Sequence, residues 1–170
     1  MSERGTFCSW GSSCFGLPSD DSARGGFGHG RGRLRARAMS PQRTIRVVAA
    51  VLEKDGRYLI TQRRASAVLP LMWEFPGGRV EDGETDAQAL KREVRHRLGA
   101  EIEVGKLISF VSHPYEHYVV DLFLYECRLV GERLEPIAVH SYKWVPSAEF
   151  DQYPFTPADE ASMNKLLDVS

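Results

Sequence analysis

From residue 44 onward the apolar and polar positions fall into runs of two distinct periods, and each run predicts an element. Residues 45–53 and 57–62 are strand-like and meet at Lys54-Asp55-Gly56. An Asp-Gly pair between two such runs is a strong hairpin signal, because both central residues of the tight turn need positive φ. Ala87, Leu90, Val94 and Leu98 then recur at spacings of three and four, which predicts one apolar stripe on a helix. That helix is bounded at both ends. Thr85 followed by Gln88 forms a capping-box pair that satisfies backbone N–H groups at a helix start, and Gly99 supplies the left-handed position that ends one. Residues 102–111 and 118–129 are β-rich and separated by His113-Pro114-Tyr115-Glu116, and residues 142–145 read as a further short strand. Pro157 opens a second helical stretch, with Met163, Leu166 and Leu167 as its apolar side. Strands flanked by two helices predict an α/β sandwich.

Composition narrows the class. A chain of 170 residues with 42% hydrophobic content can bury one ordinary core, so a single domain is expected. The 22 basic and 23 acidic residues exclude a strongly basic nucleic-acid binder. Charge is unevenly placed, however. Residues 1–38 carry Arg4, Arg24, Arg31, Arg33, Arg35 and Arg37 against Glu3, Asp20 and Asp21, leaving 16 basic and 20 acidic residues in the remainder. This Gly-, Ser- and Arg-rich opening has no helical or strand period, so residues 1–41 are expected to be a disordered extension and residues 42–170 the folded domain. Met39 is an alternative start of translation. No apolar run suits a secretory signal or a membrane span, and a cytoplasmic protein without membrane partners is expected. Cys8, Cys14 and Cys127 have neither zinc-ligand spacing nor an even count, which predicts free thiols in a reducing compartment.

The chemistry-bearing stretch is residues 77–100, GGRVEDGETDAQALKREVRHRLGA. Phe75, Pro76, Gly77 and Gly78 predict a rigid-then-permissive turn that brings backbone groups close to a bound ion or phosphate. Glu93, His96 and Arg97 share one helix face a turn apart. Glu93 precedes Arg97 by four residues, the favourable order for an intrahelical ion pair worth roughly 0.2–0.5 kcal/mol.

Gly78, Glu84, Arg92, Glu93, Val94, Gly99 and Ala100 stand at the spacings of the Nudix box, and the stretch resembles that motif. It departs from the motif at His96 and Arg97, where the box carries two glutamates. The resemblance covers residues 43–168 and implies a Nudix-type α/β/α sandwich with a mixed sheet. It also implies Glu93, Glu84 and Arg92 as catalytic residues, and Gly77 and Glu93 as ligands of Mg²⁺ or Mn²⁺. A hard divalent cation wants several carboxylate oxygens, and this face offers one; His96 suits a softer ion such as Mn²⁺ or Zn²⁺. Glu81, Asp82 and Glu84 are either substitute ligands or ordinary partners of the helix dipole. A further carboxylate common in MutT-type members would fall at Ala138.

Trp73-Glu74-Phe75-Pro76-Gly77-Gly78 and Thr61-Gln62-Arg63-Arg64 are similar to the corresponding segments of MutT-type members, which cleave nucleoside triphosphates to monophosphates and pyrophosphate. The likeness implies nucleotide contacts from Arg63, Gly77 and Gly78. It further implies a base-reading role for Asp159, where an Asp after Pro is equally a routine helix-start residue. Tyr115, Tyr118 and Phe155 are candidates either for stacking on a base or for the core. Three functions follow as expectations: a nucleoside triphosphate pyrophosphohydrolase weakened at its metal face, a nucleotide-binding domain without hydrolysis, and a protein-interaction module.

Overall fold

The run Val47-Val48-Ala49-Ala50-Val51-Leu52 is continuously apolar, and a strand of that composition belongs inside a sheet covered on both faces. The computed structural model, which describes residues 42–167, places it there. Strand β1 (Arg43–Lys54) runs parallel to β6 (Tyr118–Val130), with Arg43 opposite Tyr118 and Leu52 opposite Cys127. Its end turns through Asp55 and Gly56, at φ of 53° and 71°, into the antiparallel β2 (Arg57–Gln62). β2 pairs in turn with β3 (Trp73–Glu74) and β7 (Ser141–Pro146), while β5 (Glu101–Pro114) is antiparallel to β6 on the far side. The strand order is β3-β2-β1-β6-β5, with β7 on β2 and β4 (Gly77–Arg79) on β1. This is the expected mixed sheet, and it is flanked by α1 (Asp86–Leu98) and α2 (Pro157–Leu167).

Alternation along β1 divides the core. Val48, Ala50 and Leu52 pack with Leu59, Leu90, Val94 and Leu98 on the α1 side. Ala49 and Val51 pack with Ile60, Phe75, Leu122, Leu124 and Met163 on the α2 side. The two faces of one strand therefore serve two layers, as a period of two requires.

Helix α1 has the expected ends. Thr85 N–H donates to Gln88 Oε1 at 2.9 Å, Gln88 N–H returns to Thr85 Oγ1 at 3.3 Å, and Gly99 at φ 63° donates to Arg95 O at 2.9 Å. One member of the stripe differs: Ala87 is exposed and Ala89 is fully buried in its place. Contact with the sheet in the first turn is polar and made by Asp86, which accepts from Arg46 Nη2 at 2.6 Å and Tyr125 OH at 2.5 Å.

Strands reach further than their patterns predicted. β5 continues through His113 and Pro114, so the turn shrinks to residues 115–117, closed by Tyr115 N–H to Tyr118 O at 2.8 Å. Gly77 and Gly78, expected in a turn, belong to β4 and pair with Ala49 and Val48. Lacking a Cβ, Gly77 lies flat on β1; an added methyl would come within 2.1 Å of Val48 O. Met163 is buried as expected, whereas the side chains of Leu166 and Leu167 lie outside the described residues. So do the extension over residues 1–41, Cys8 and Cys14. Cys127 is buried and unbridged, and burial pushes its thiol up to about 12. Among the described residues no helix is long and apolar enough to cross a membrane.

Candidate functional site

The capped start of α1 and the β4 pairing bring three arginines and three glutamates into one alternating chain. At its outer end Arg92 clamps Glu84, with Nε to Oε1 at 2.7 Å and Nη2 to Oε2 at 2.8 Å. Glu81 N–H adds a bond to Glu84 at 3.1 Å. The Arg92 hydrogen bonds, helped by that N–H, hold the Glu84 carboxyl down to about 2. Arg92 Nη1 continues to Glu93 Oε1 at 2.5 Å, and the other Glu93 oxygen accepts from Arg97 Nε at 3.0 Å. The intrahelical pair expected between Glu93 and Arg97 is present.

Arg97 does not stop there. Its Nη1 donates to Glu74 Oε1 at 2.6 Å, and the second Glu74 oxygen accepts from Arg63 Nη1 at 2.5 Å. Arg63 is itself anchored by Nε to Val68 O at 2.7 Å. The chain therefore runs Glu84, Arg92, Glu93, Arg97, Glu74, Arg63, with as many positive as negative groups. Burial works against the charge of Arg97, but the carboxylates of Glu74 and Glu93 outweigh it and hold the guanidinium above its ordinary value.

The residues do not fit a divalent cation. All four oxygens of Glu93 and Glu74 are bonded to guanidinium nitrogens. Among the described residues no group of three or more His, Cys, Asp and Glu side chains is placed to hold an ion. A guanidinium about 4 Å from a cation repels each unit of its charge by roughly 4 kcal/mol at an effective dielectric near 20. His96 is exposed on the helix and lines the same cleft as Arg97 without another ligating side chain beside it that is not already taken. Glu81 and Asp82 are exposed ahead of α1, and Glu84 is engaged by Arg92. Ala138 does sit beside the site, its N–H bonded to Arg97 O at 3.1 Å, and it brings a methyl in place of the expected carboxylate.

Two cavities share the Arg63, Glu74 and Arg97 wall. One is an open cleft of about 270 Å³ reached also by Arg64, His96 and Ala138. The other, of about 150 Å³, is lined by Gly77, Gly78, Leu122 and Asp159 as well. Arg63, Gly77, Gly78 and Asp159, far apart in sequence, thus face one cavity. Gly78 lies directly beneath Glu93, since a Cβ there would meet the Glu93 carboxyl carbon at 2.4 Å.

Asp159 is buried in the first turn of α2, accepting from Phe75 N–H at 3.1 Å and Thr156 Oγ1 at 2.5 Å. Burial, and then the charge of Glu74, push its carboxyl up to about 7, so near neutrality it is divided between a carboxylate and a neutral acid. Tyr115 receives a backbone hydrogen bond from Ala158 and stacks on Tyr118 with centroids 5.0 Å apart; burial raises its phenol. Phe155 takes the core alternative, packed between Phe75 and Phe150 at 6.1 and 5.6 Å and 4% exposed.

Glu74 and Arg64 join the site without a role that the sequence pattern predicts. Glu74 was visible only as one letter of Trp-Glu-Phe-Pro-Gly-Gly, and its partners lie 11 and 23 residues away. Arg64, whose Nη2 donates to Ile137 O at 2.6 Å, gave no local signal either.

Comparison with known proteins agrees with the fold. A family model described as the NUDIX domain matches residues 47–165. The CTP pyrophosphohydrolase of Escherichia coli K12 is 36% identical over 115 residues, 68% of this chain and 85% of that protein. An 8-oxo-dGTP diphosphatase of Haemophilus influenzae is 31% identical, over 74% of this chain and 93% of its own length. The solution structure of the E. coli ORF135 protein superposes with a TM-score of 0.65 at 32% identity, covering 75% of this chain and 91% of that one. By the domain match, the identities and the mixed sheet together, the chain belongs to the Nudix family, close to its MutT and 8-oxo-dGTP diphosphatase branch, and carries His96 and Arg97 where the box has its glutamate pair.

Proposed function

We propose that this chain is a Nudix domain that binds nucleoside triphosphates, while its hydrolysis of them to monophosphate and pyrophosphate is weak or lost. The observation that carries the reading is the position of Arg97, a fixed positive charge bonded to both Glu93 and Glu74. Hydrolysis of a phosphoric anhydride in relatives of this kind calls for Mg²⁺ or Mn²⁺, to neutralise phosphate oxygens and generate hydroxide. Here the carboxylates that would hold the ion already serve guanidinium groups. Binding is supported by the second cavity. Arg63 presents a fork suited to phosphate, Gly77 and Gly78 allow close backbone approach, and Asp159 offers an acceptor, or a donor when protonated, to a base edge.

The test is a panel of ribo-, deoxy- and oxidised nucleoside triphosphates given to the full chain in Mg²⁺ and in Mn²⁺, with pyrophosphate release and thermal unfolding followed together. The expected result is stabilisation, about 2.7 kcal/mol at a hundredfold excess over Kd, with little product. Fast metal-dependent pyrophosphate release overturns the loss of hydrolysis. Absence of both stabilisation and product overturns nucleotide binding.

A further inference from the structure

We infer that Arg97 replaces the divalent cation as the positive centre of this site, so that the cleft beside it takes the phosphate groups of a polyphosphate without any metal. The inference deepens the nucleotide-binding reading and rests on it for the class of ligand.

Three observations carry it. First, the charge in the cleft has the sign an anion needs. Its ionised walls are Arg63, Arg64 and Arg97 against Glu74 and Glu93, a surplus of one positive charge before His96 is considered. With Glu or Asp at positions 97 and 138 in place of Arg97 and Ala138, the same walls would be net negative and would accept phosphate only after a cation had bound.

Second, donors are left over. Arg97 uses Nε for Glu93 and Nη1 for Glu74, and Arg63 uses Nε for Val68 O and Nη1 for Glu74. No hydrogen bond within the described residues engages Nη2 of either arginine, and the Arg97 and Arg63 side chains keep 22% and 24% of their surface exposed. Arg64 commits only Nη2, to Ile137 O. Guanidinium forks of this kind match phosphate oxygens in pairs.

Third, the donors are held in advance. Arg97 is fixed by two carboxylates, Arg63 by a carboxylate and a backbone carbonyl, and Arg64 by a backbone carbonyl. Little side-chain freedom remains to be lost when an anion arrives, which favours binding. A hydrated cation would instead have to displace Arg97 from both of its partners.

The experiment uses inorganic pyrophosphate and tripolyphosphate with the full chain, by calorimetric titration in EDTA and again in Mg²⁺. The expected result is saturable binding in EDTA that Mg²⁺ does not strengthen. Arg64→Ala, a change outside the ionic chain, should weaken binding in EDTA by tenfold or more, and Arg97→Gln by at least as much. Binding seen only with Mg²⁺, or none in EDTA, overturns the inference. Binding in EDTA that Arg64→Ala leaves unchanged also overturns it, since the anion then sits elsewhere, and this variant decides the matter even should Arg97→Gln fail to fold. The nucleotide reading fails separately. Nucleoside triphosphates that stabilise the protein only in Mg²⁺, with no pyrophosphate binding in EDTA, would leave nucleotide binding standing and remove metal independence. Pyrophosphate binding in EDTA, with nucleoside triphosphates giving neither stabilisation nor product, would do the reverse.

Discussion

Arg97 Nη1 lies 2.6 Å from Glu74 Oε1, joining the last turn of α1 to β3 across 23 residues of sequence. Both groups are largely withdrawn from water, with side-chain exposures of 22% and 10%, so the contact is more than a surface pair. Removing one partner of a buried pair leaves the other uncompensated, at a cost of about 3–5 kcal/mol. Arg97→Met should therefore destabilise the domain in urea unfolding, by less than that amount, because it frees one oxygen each of Glu74 and Glu93 while Arg63 and Arg92 still hold the other. Glu74→Gln added to Arg97→Met should restore part of the loss, with a coupling of roughly 0.5–3 kcal/mol. Independent, additive effects of the two changes would show that the contact carries no energy.

The same position controls chemistry. The double change His96→Glu and Arg97→Glu rebuilds the acidic pair of the box around Glu93 and removes the positive charge between Glu93 and Glu74. Metal-free, this variant should be less stable than the parent, through like-charge repulsion. In Mn²⁺ or Mg²⁺ it should recover stability and release pyrophosphate from nucleoside triphosphates at least tenfold faster than the parent, a change of about 1.4 kcal/mol in the barrier. A folded variant that gains neither metal-dependent stability nor turnover would show that more than the glutamate pair has been lost, Ala138 being the next position to restore.

The two glycines of β4 should respond differently to the same substitution. At Gly77 an added methyl meets the fixed backbone of β1, 2.1 Å from Val48 O, so Gly77→Ala must push two strands apart. At Gly78 the obstacle is the Glu93 carboxyl at 2.4 Å, the far end of a side chain that can move. Gly77→Ala should cost several kcal/mol, above the usual 1–3 kcal/mol of overpacking, and Gly78→Ala should fall within it. The second change should instead weaken the Arg92 and Arg97 contacts by displacing Glu93. Equal losses in thermal unfolding would contradict this ordering.

What could be read from the sequence divides along one physical line. Features set by neighbours a few residues apart were legible: the turn at Asp55-Gly56, the Thr85 and Gln88 cap, Gly99, and the Glu93 and Arg97 pair on one helix face. Features set by the packing of distant segments were not. Spacing alone allowed Ala87 in the stripe, and only the position of the sheet put Ala89 there. Two adjacent glycines argue for a turn by conformational freedom, yet Gly77 is in a strand because β1 leaves no room for a side chain. Glu74 carries no local mark of its role, since its partners Arg63 and Arg97 come from the loop after β2 and from α1.

Asp159 gives the fold a pH dependence of unusual sign for a carboxylate. Its pKa rises from an ordinary 3.8 to about 7 in the native protein because of burial and the charge of Glu74. The native state therefore holds this proton more tightly than the unfolded chain, and its contribution to stability is fully present below about 3.8. As pH climbs toward about 7 that contribution is lost, and above it no further change comes from this group. Glu84 acts oppositely in a lower window: depressed from 4.5 to about 2 by Arg92, it stabilises above 4.5 and loses that effect on acidification toward 2. Asp159→Asn separates the two. The amide keeps an oxygen for Phe75 N–H, and the Thr156 hydroxyl can turn to accept from the new NH₂ group, so the hydrogen bonds survive without a titrating proton. The parent should lose stability between pH 5 and 7 relative to this variant, whereas both should weaken alike below pH 4 as Glu84 protonates. Parallel stability profiles from pH 5 to 7 would show that Asp159 is ionised throughout that range.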